Sequence, residues 1–230
     1  MKTFSKRFKI AKSLLVKDAY SLEESVGLLK QTATARFDES VEAHFCLNID
    51  TKYSDQQLRT TIILPKGSGK QIKIAVLLPD TDNASALLEQ GAAIVGSNDL
   101  IEDISKGNLD FDLLLTTPEM MPRLTKLGKM LGPRGLMPST KTGTVSMDIP
   151  KALEEFKAGK VECRADKTGV VHILFGKTNF SEEDLLTNLT AVFESVKSNR
   201  PSGVKGKYFK SFKVCTTMGP SLNIDLRTLL

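Results

Sequence analysis

Pro65-Lys-Gly-Ser-Gly69, followed by Lys70-Gln-Ile-Lys-Ile-Ala-Val-Leu-Leu78, separates two kinds of strand in this 230-residue chain. Before it, Val41, Ala43, Phe45, Leu47 and Ile49 alternate with more polar positions, the pattern of a strand buried on one face. After it, Ile72 to Leu78 is nearly continuous in apolar residues, as expected of a strand covered on both faces. Strand-like Ala93–Val95 and Phe111–Leu115 then alternate with helical stretches at 84–90, 100–105 and 119–130. That order reads as parallel βαβ units, a small doubly wound domain. A helix over 150–157 ends at Gly159, and half-buried strand character returns at 161–164 and 170–175.

The outer segments carry their own helices. Ser5–Val16 places Phe8, Ala11, Leu14 and Leu15 on one side, and Ser21 with Glu24 opens a second helix that frays near Ala35. Ser181 with Asp184 opens another, which aligns Leu185, Leu189, Val192, Phe193 and Val196. A last strand, about 206–216, interleaves Tyr208, Phe209 and Phe212 with lysines. The expected fold class combines α+β and α/β. Residues 1–66 and 160–230 form a split sheet domain, residues 67–159 an inserted Rossmann-like domain, and Gly67 and Gly159 mark the hinges.

Charge follows the same division. Residues 1–66 hold 11 basic and 8 acidic side chains, residues 67–159 hold 10 and 12, and residues 160–230 hold 11 and 7. The net of +5 is therefore a basic split domain around a slightly acidic insertion. Lys197, Arg200, Lys205, Lys207, Lys210 and Lys213 lie in one acid-free window, and Arg123, Lys126, Lys129, Arg134 and Lys141 in another. Such windows suit a polyphosphate partner, and a solvated positive face accounts for either alone equally well.

Several functions are disfavoured. No apolar run reaches the length of a membrane span, and the basic opening Met1–Ile10 lacks the apolar core of a cleaved signal. Cys46, Cys163 and Cys215 form no CxxC pair and read as small core residues. His44 and His172 have no metal-ligand spacing, so neither metal nor cofactor is expected. Lys66-Gly-Ser-Gly-Lys70 lacks the upstream glycine of a phosphate loop, where Leu64 stands, and Gln71 replaces the metal-binding hydroxyl. Asp166-Lys-Thr-Gly169 is similar to the aspartyl-phosphate motif of cation pumps. A tight turn with Gly169 at positive φ explains it more simply and frees Lys167 for a ligand. A nucleotide-using enzyme in the middle domain has no supporting motif.

Two segments stand out, the first suited to phosphate and the second to RNA. Lys126-Leu-Gly-Lys-Met-Leu-Gly-Pro-Arg-Gly-Leu-Met-Pro138 combines cations with glycines whose amides approach a phosphate closely, Lys126, Lys129, Arg134 and Gly135 foremost. Thr216-Thr-Met-Gly-Pro-Ser221 offers hydroxyls, a flexible thioether and a bare glycine for a shallow RNA minor groove, or else a strand-end turn. With Thr34-Ala-Arg-Phe-Asp-Glu-Ser-Val-Glu42, Lys66-Gly-Ser-Gly-Lys70 and Asp166-Lys-Thr-Gly-Val-Val-His172, these stretches resemble the L-1 family of large-subunit ribosomal proteins, in its bacterial or plastid form. The resemblance covers nearly the whole chain.

It implies a non-enzymatic ribosomal protein, monomeric when free, with no membrane partner, on the ribosome of a cytoplasm or a plastid stroma. Its partners would be large-subunit ribosomal RNA in a mobile side stalk, deacylated tRNA at the exit site and, in bacterial members, its own mRNA, whose translation it represses. Carried over, the RNA contact combines Arg36, Phe37, Ser40, Glu42, Lys167 and His172 with Thr216, Thr217, Met218 and Gly219. Lys213 joins them as a phosphate contact on the basic terminal strand. Glu42 is suited to accepting ribose hydroxyls or orienting a nearby cation rather than meeting phosphate, and Phe37 reads equally as a ribose contact and as a core residue.

Overall fold

The structure, a computed structural model, describes residues 5–79 and 84–229; Met1–Phe4 of the basic opening lie outside them. Helices α1 (Lys6–Ser13) and α2 (Leu22–Thr32) precede strands β1 (Ser40–Leu47) and β2 (Arg59–Ile63). Next come β3 (Ile74–Leu77), α3 (Ala84–Glu89), β4 (Ile94–Gly96), α4 (Asn98–Lys106), β5 (Leu113–Thr116), α5 (Met121–Thr125), α6 (Gly128–Leu131) and α7 (Ile149–Lys157). Strands β6 (Lys160–Arg164) and β7 (Val170–Lys177), helix α8 (Glu182–Ser198) and strands β8 (Phe209–Thr216) and β9 (Leu222–Asn223) follow. These elements make a mixed α/β fold in two compact units. One runs up to Gly69 and resumes at Val161; the other is Lys70–Lys160.

In the split unit the sheet order is β7-β1-β8-β9, with β1 antiparallel to both neighbours. The alternation of β1 buries Val41, Ala43, Phe45 and Leu47 and leaves Ser40, Glu42, His44 and Cys46 on the solvated face. The buried face packs on α8 and α2, and Phe45 stacks on Phe212 at 4.3 Å between centroids. Ser181 caps α8 by accepting the Asp184 amide at 3.1 Å, which starts the helix in the phase that buries Leu185, Leu189, Val192, Phe193 and Val196. Ser21 does the same for α2 through the Glu24 amide at 3.2 Å. In the shorter α1, Ala11 is the buried residue, and Leu14 and Leu15 fall beyond the helix end, Leu14 exposed.

The segment after Leu64 is stapled from α8. Asn188 is fully buried and completely used: its Oδ1 accepts the Lys66 amide at 3.0 Å, and its Nδ2 donates to the Gly67 and Phe175 carbonyls at 3.0 and 2.9 Å. Lys66 Nζ pairs with Asp184 at 3.0 Å. In the phosphate-loop-like stretch the Lys66 side chain and the Lys66 and Gly67 amides are thus spent on internal structure, and Lys70 pairs with Asp112 at 3.1 Å. Gly67 and Gly159 both take positive φ, at 72° and 109°.

In the Lys70–Lys160 unit β3 lies between β4 and β5, parallel to both. Ile74, Val76 and Leu115 pack on one side with Leu87 of α3 and Leu153 and Phe156 of α7. Ala75, Leu77 and Leu114 pack on the other with Ile104 of α4, Leu124 of α5 and Leu131 of α6. The apolar run of β3 is continuous because both faces are covered. The single helix expected over 119–130 is instead a 3-10 turn (Pro118–Met120), α5 and α6. The breaking point is Lys126–Leu127, just before Gly128, and Leu127 leaves helical geometry at ψ 5°.

Two of the three cysteines depart from the expected core role. Cys163 is buried, and burial pushes its thiol up to about 12. Cys46 and Cys215 are only half-buried, because strand alternation turns both toward the solvated face of the sheet.

Candidate nucleic-acid interface

Two segments meet where β1 begins. The loop 33–39 enters the strand, and the turn 216–219 leaves β8 beside it, since Val41 faces Thr216 in the ladder. Glu39, which sequence reading did not single out, joins them from a buried position. Its Oε1 accepts the Ala35 amide and its Oε2 the Met218 amide, each at 2.9 Å. Burial works to raise this carboxyl's pKa, but the two amides, the nearby Thr216 hydroxyl and the Arg7 charge outweigh it, and the pKa falls below its ordinary value. The Thr216 oxygen is itself buried in a geometry too poor for a hydrogen bond.

Two more residues, Thr217 and Asp38, fix these segments. Thr217 Oγ1 accepts the Ser40 amide at 3.0 Å and donates to the Ser40 carbonyl at 3.3 Å, while the Thr217 amide donates to the same carbonyl at 3.0 Å. Its hydroxyl is engaged with backbone, which makes Thr217 a positioning residue. Asp38 accepts from Thr178 and Asn179 at 2.9 and 2.8 Å and ties the loop to the end of β7. Gly219 is required by close approach: a Cβ there would collide with Thr216 Oγ1.

With the backbone held, the neighbouring side chains are left to solvent. Arg36 is exposed and makes no ion pair among the described residues. Phe37 is 56% exposed and Met218 49%, so Phe37 is not a core residue. An exposed cation and two exposed apolar side chains on braced backbone suit an RNA surface that offers phosphates, ribose edges and bases together.

Across the solvated face the ladder aligns side chains in rows. His172, His44 and Lys213 form one row that continues to Asn223; Leu174, Glu42 and Cys215 form the next. His44 Nδ1 lies 2.7 Å from His172 Nδ1, and His44 Nε2 lies 3.2 Å from Cys215 Sγ. Burial lowers the His44 pKa, the facing His172 adds to this and Glu42 partly offsets it, so the ring is neutral at pH 7. Glu42, His44 and Cys215 bring a carboxylate oxygen, a ring nitrogen and a sulfur within 4.8 Å of one another. The members of this group come from adjacent antiparallel strands, so no linear spacing marks it.

Lys167 stands apart. Its turn precedes β7, whose first residue Val170 pairs with Cys46, so it lies near the opposite end of β1 from Arg36 and Phe37. That end is about 20 Å away at the rise of an extended strand. Asp166 Oδ1 accepts the Thr168 and Val170 amides at 2.8 Å, and Gly169 has φ 80°. The Val170 amide, then the Thr168 hydroxyl, hold the Asp166 carboxyl below its usual range. This aspartate caps a turn and is no nucleophile, and the turn presents Lys167 to solvent.

The two basic windows differ in how their cations are used. Arg200 donates to the Val204 and Gly206 carbonyls at 2.8 and 2.9 Å, and Lys197 to the Leu229 carbonyl at 3.3 Å. Lys205, Lys207, Lys210 and Lys213 stay exposed. In the second unit Lys126, Lys129, Arg134 and Gly135 are all exposed, with Gly135 at φ 72°. Lys129 lies within α6.

Residues 29–220 match the family described as Ribosomal protein L1p/L10e. Over 226 residues the chain is 58% identical to the large ribosomal subunit protein uL1c of Guillardia theta, covering 98% of this chain and 96% of that one. Over 229 residues it is 53% identical to the large ribosomal subunit protein uL1 of Thermosynechococcus vestitus, covering 100% of this chain and 96% of the relative. The uL1c of Pyropia yezoensis is 52% identical over 230 residues, with both chains fully covered. The class defined by these matches and by the mixed α/β fold is a structural, non-enzymatic component of the large ribosomal subunit. The chain belongs to the ribosomal protein L1 family. Such relatives, plastid and cyanobacterial, fit a ribosome in a bacterial cytoplasm or a plastid.

Proposed function

We propose that the split unit, in domain terms residues 1–66 with 160–230, binds a folded segment of large-subunit ribosomal RNA. Arg36, Phe37 and Met218 meet it at one end of the sheet, Glu42, His172 and Lys213 along the face, and Lys167 at the other end. Ser40, Thr216, Thr217 and Gly219 shape the backbone that presents them. The observation that carries this reading is the Glu39 clip, which spends a buried carboxylate on holding Phe37 and Met218 on neighbouring, solvent-facing segments. A fold stabilised for itself alone gains nothing from exposing two large apolar side chains there.

The inserted Rossmann-like domain, residues 67–159, presents Lys126, Lys129, Arg134 and Gly135 to a second polyanion. In this reading that partner is deacylated tRNA leaving the exit site, with Gly67 and Gly159 as the turning points of a mobile stalk. The same face of the split unit would take a similar RNA fold in the protein's own mRNA and so repress its translation. The test is protection mapping of large-subunit RNA by the full-length protein. Protection confined to one stalk fragment, bound in preference to bulk RNA, is the expected result. Uniform weak protection would overturn the proposal.

A further inference from the structure

We propose that Glu42, His44 and Cys215 form a binding site for one zinc-class divalent ion on the solvated face of the four-stranded sheet. The ligands are built in by the ladder. Glu42 and His44 are two residues apart on β1 and share a face, and Cys215 of β8 is the register partner of Glu42. His44 Nε2 lies 3.2 Å from Cys215 Sγ and 3.8 Å from Glu42 Oε2. Ligand atoms bound tetrahedrally to zinc at ordinary bond lengths stand about 3.4–3.6 Å apart, so these two distances need to change by only a few tenths of an ångström, and the sulfur and the carboxylate, within 4.8 Å of each other, close the triangle by side-chain rotation. A thiolate, an imidazole and a carboxylate favour zinc over calcium or magnesium, which prefer all-oxygen shells. Three protein ligands on an accessible face leave a fourth position for water.

The surroundings match what a metal-bound histidine needs. A ligating ring nitrogen is oriented by a hydrogen bond from the other one. With Nε2 toward the ion, His44 Nδ1–H donates to His172 Nδ1 at 2.7 Å. His172 then carries its proton on Nε2, which faces Asp166 Oδ2 at 3.8 Å. In the same His44 tautomer without the ion, Nε2 is free to accept from the Cys215 thiol, 3.2 Å away. Binding releases the thiol proton to solvent, forms bonds from the ion to sulfur, nitrogen and oxygen, and raises the local charge by one.

The test uses the reduced, RNA-free, full-length protein titrated with Co²⁺, followed by Zn²⁺. One equivalent of cobalt should give a thiolate-to-metal charge-transfer band, which zinc abolishes. Cys215→Ser and His44→Ala should remove the band, while Cys46→Ser keeps it. His172→Ala should weaken zinc binding about tenfold or more, on the scale of a lost orienting partner. No band in the wild type, a band surviving in Cys215→Ser, or unchanged zinc affinity in His44→Ala would each overturn the site. Should Cys215→Ser fail to fold, Glu42→Gln tests the same ligand set, because its side chain is 40% exposed and its replacement leaves the core intact. Unchanged zinc affinity in that variant is again fatal. No arm reads RNA binding, so this site and the RNA interface fail separately.

Discussion

Glu39 Oε2 accepts the backbone amide of Met218 at 2.9 Å across 179 residues of chain, and this contact fixes where the terminal turn sits against the start of β1. The carboxylate is buried and also holds Ala35, so both oxygens are engaged.

Glu39→Gln should therefore destabilise the split unit by about 1–3 kcal/mol at pH 7, because an amide NH₂ would face one of two N–H donors. The folded-state pKa of Glu39 is lowered, so its contribution is full above the unfolded value and lost as pH falls through the folded one. Urea midpoints of wild type and variant should differ at neutral pH and converge in acid. A gap that persists in acid would refute the charge-based account.

Met218→Ala, at a half-exposed side chain, should leave the thermal midpoint unchanged and weaken specific RNA binding by about 1–3 kcal/mol. The dependence of binding on salt should stay the same. Equal losses on specific and bulk RNA would remove Met218 from the interface.

Thr217→Val should act differently, by releasing the Ser40 backbone. Loss of its hydroxyl contacts should cost about 1 kcal/mol of stability and lower RNA affinity with it, while Thr217→Ser restores both. Paired melting and binding curves check this. A Val variant with native stability and weakened binding would instead make the hydroxyl a direct RNA contact.

Lys213→Ala should flatten the slope of log affinity against log salt by about one unit, as for a lost phosphate contact. The lysine is exposed beside His44 on the central row. A changed affinity at constant slope would argue against phosphate contact.

Asn188→Leu should destabilise by about 2–4 kcal/mol, because three backbone groups lose buried partners at once. Denaturant midpoints measure it. A neutral effect would mean that water replaces the amide.

Much of this fold is legible in the sequence where local rules act alone. The alternation of 41–47 forms β1, and Ser181 with Asp184 sets the start and phase of α8. The continuous run of 72–78 contains a strand covered on both faces. Legibility ends where distant chain supplies the partner. Asn188 looks like a polar interruption of an apolar helix face until the 65–67 backbone is placed against it. Asp38 and Glu39 are ordinary acids until Thr178 and Met218 arrive. The helix expected over 119–130 breaks because periodicity continues through Gly128 although helical geometry does not. His44 and Cys215 carry no linear spacing because their proximity is a property of ladder register.

The placement of β1 between β7 and β8 also has a timetable. Its partners are translated after the whole Lys70–Lys160 unit, which is contiguous and has all its own strands as soon as it emerges. At ordinary elongation rates β1 waits on the order of ten seconds with both edges unpaired until β7 is made, and longer on the other edge for β8. Until then Val41, Ala43, Phe45 and Leu47 lack the α8 side of the core that covers them, and the nascent chain carries an adhesive edge that its own C-terminal third conceals. The inserted unit thus matures first, and the sheet of the split unit closes last.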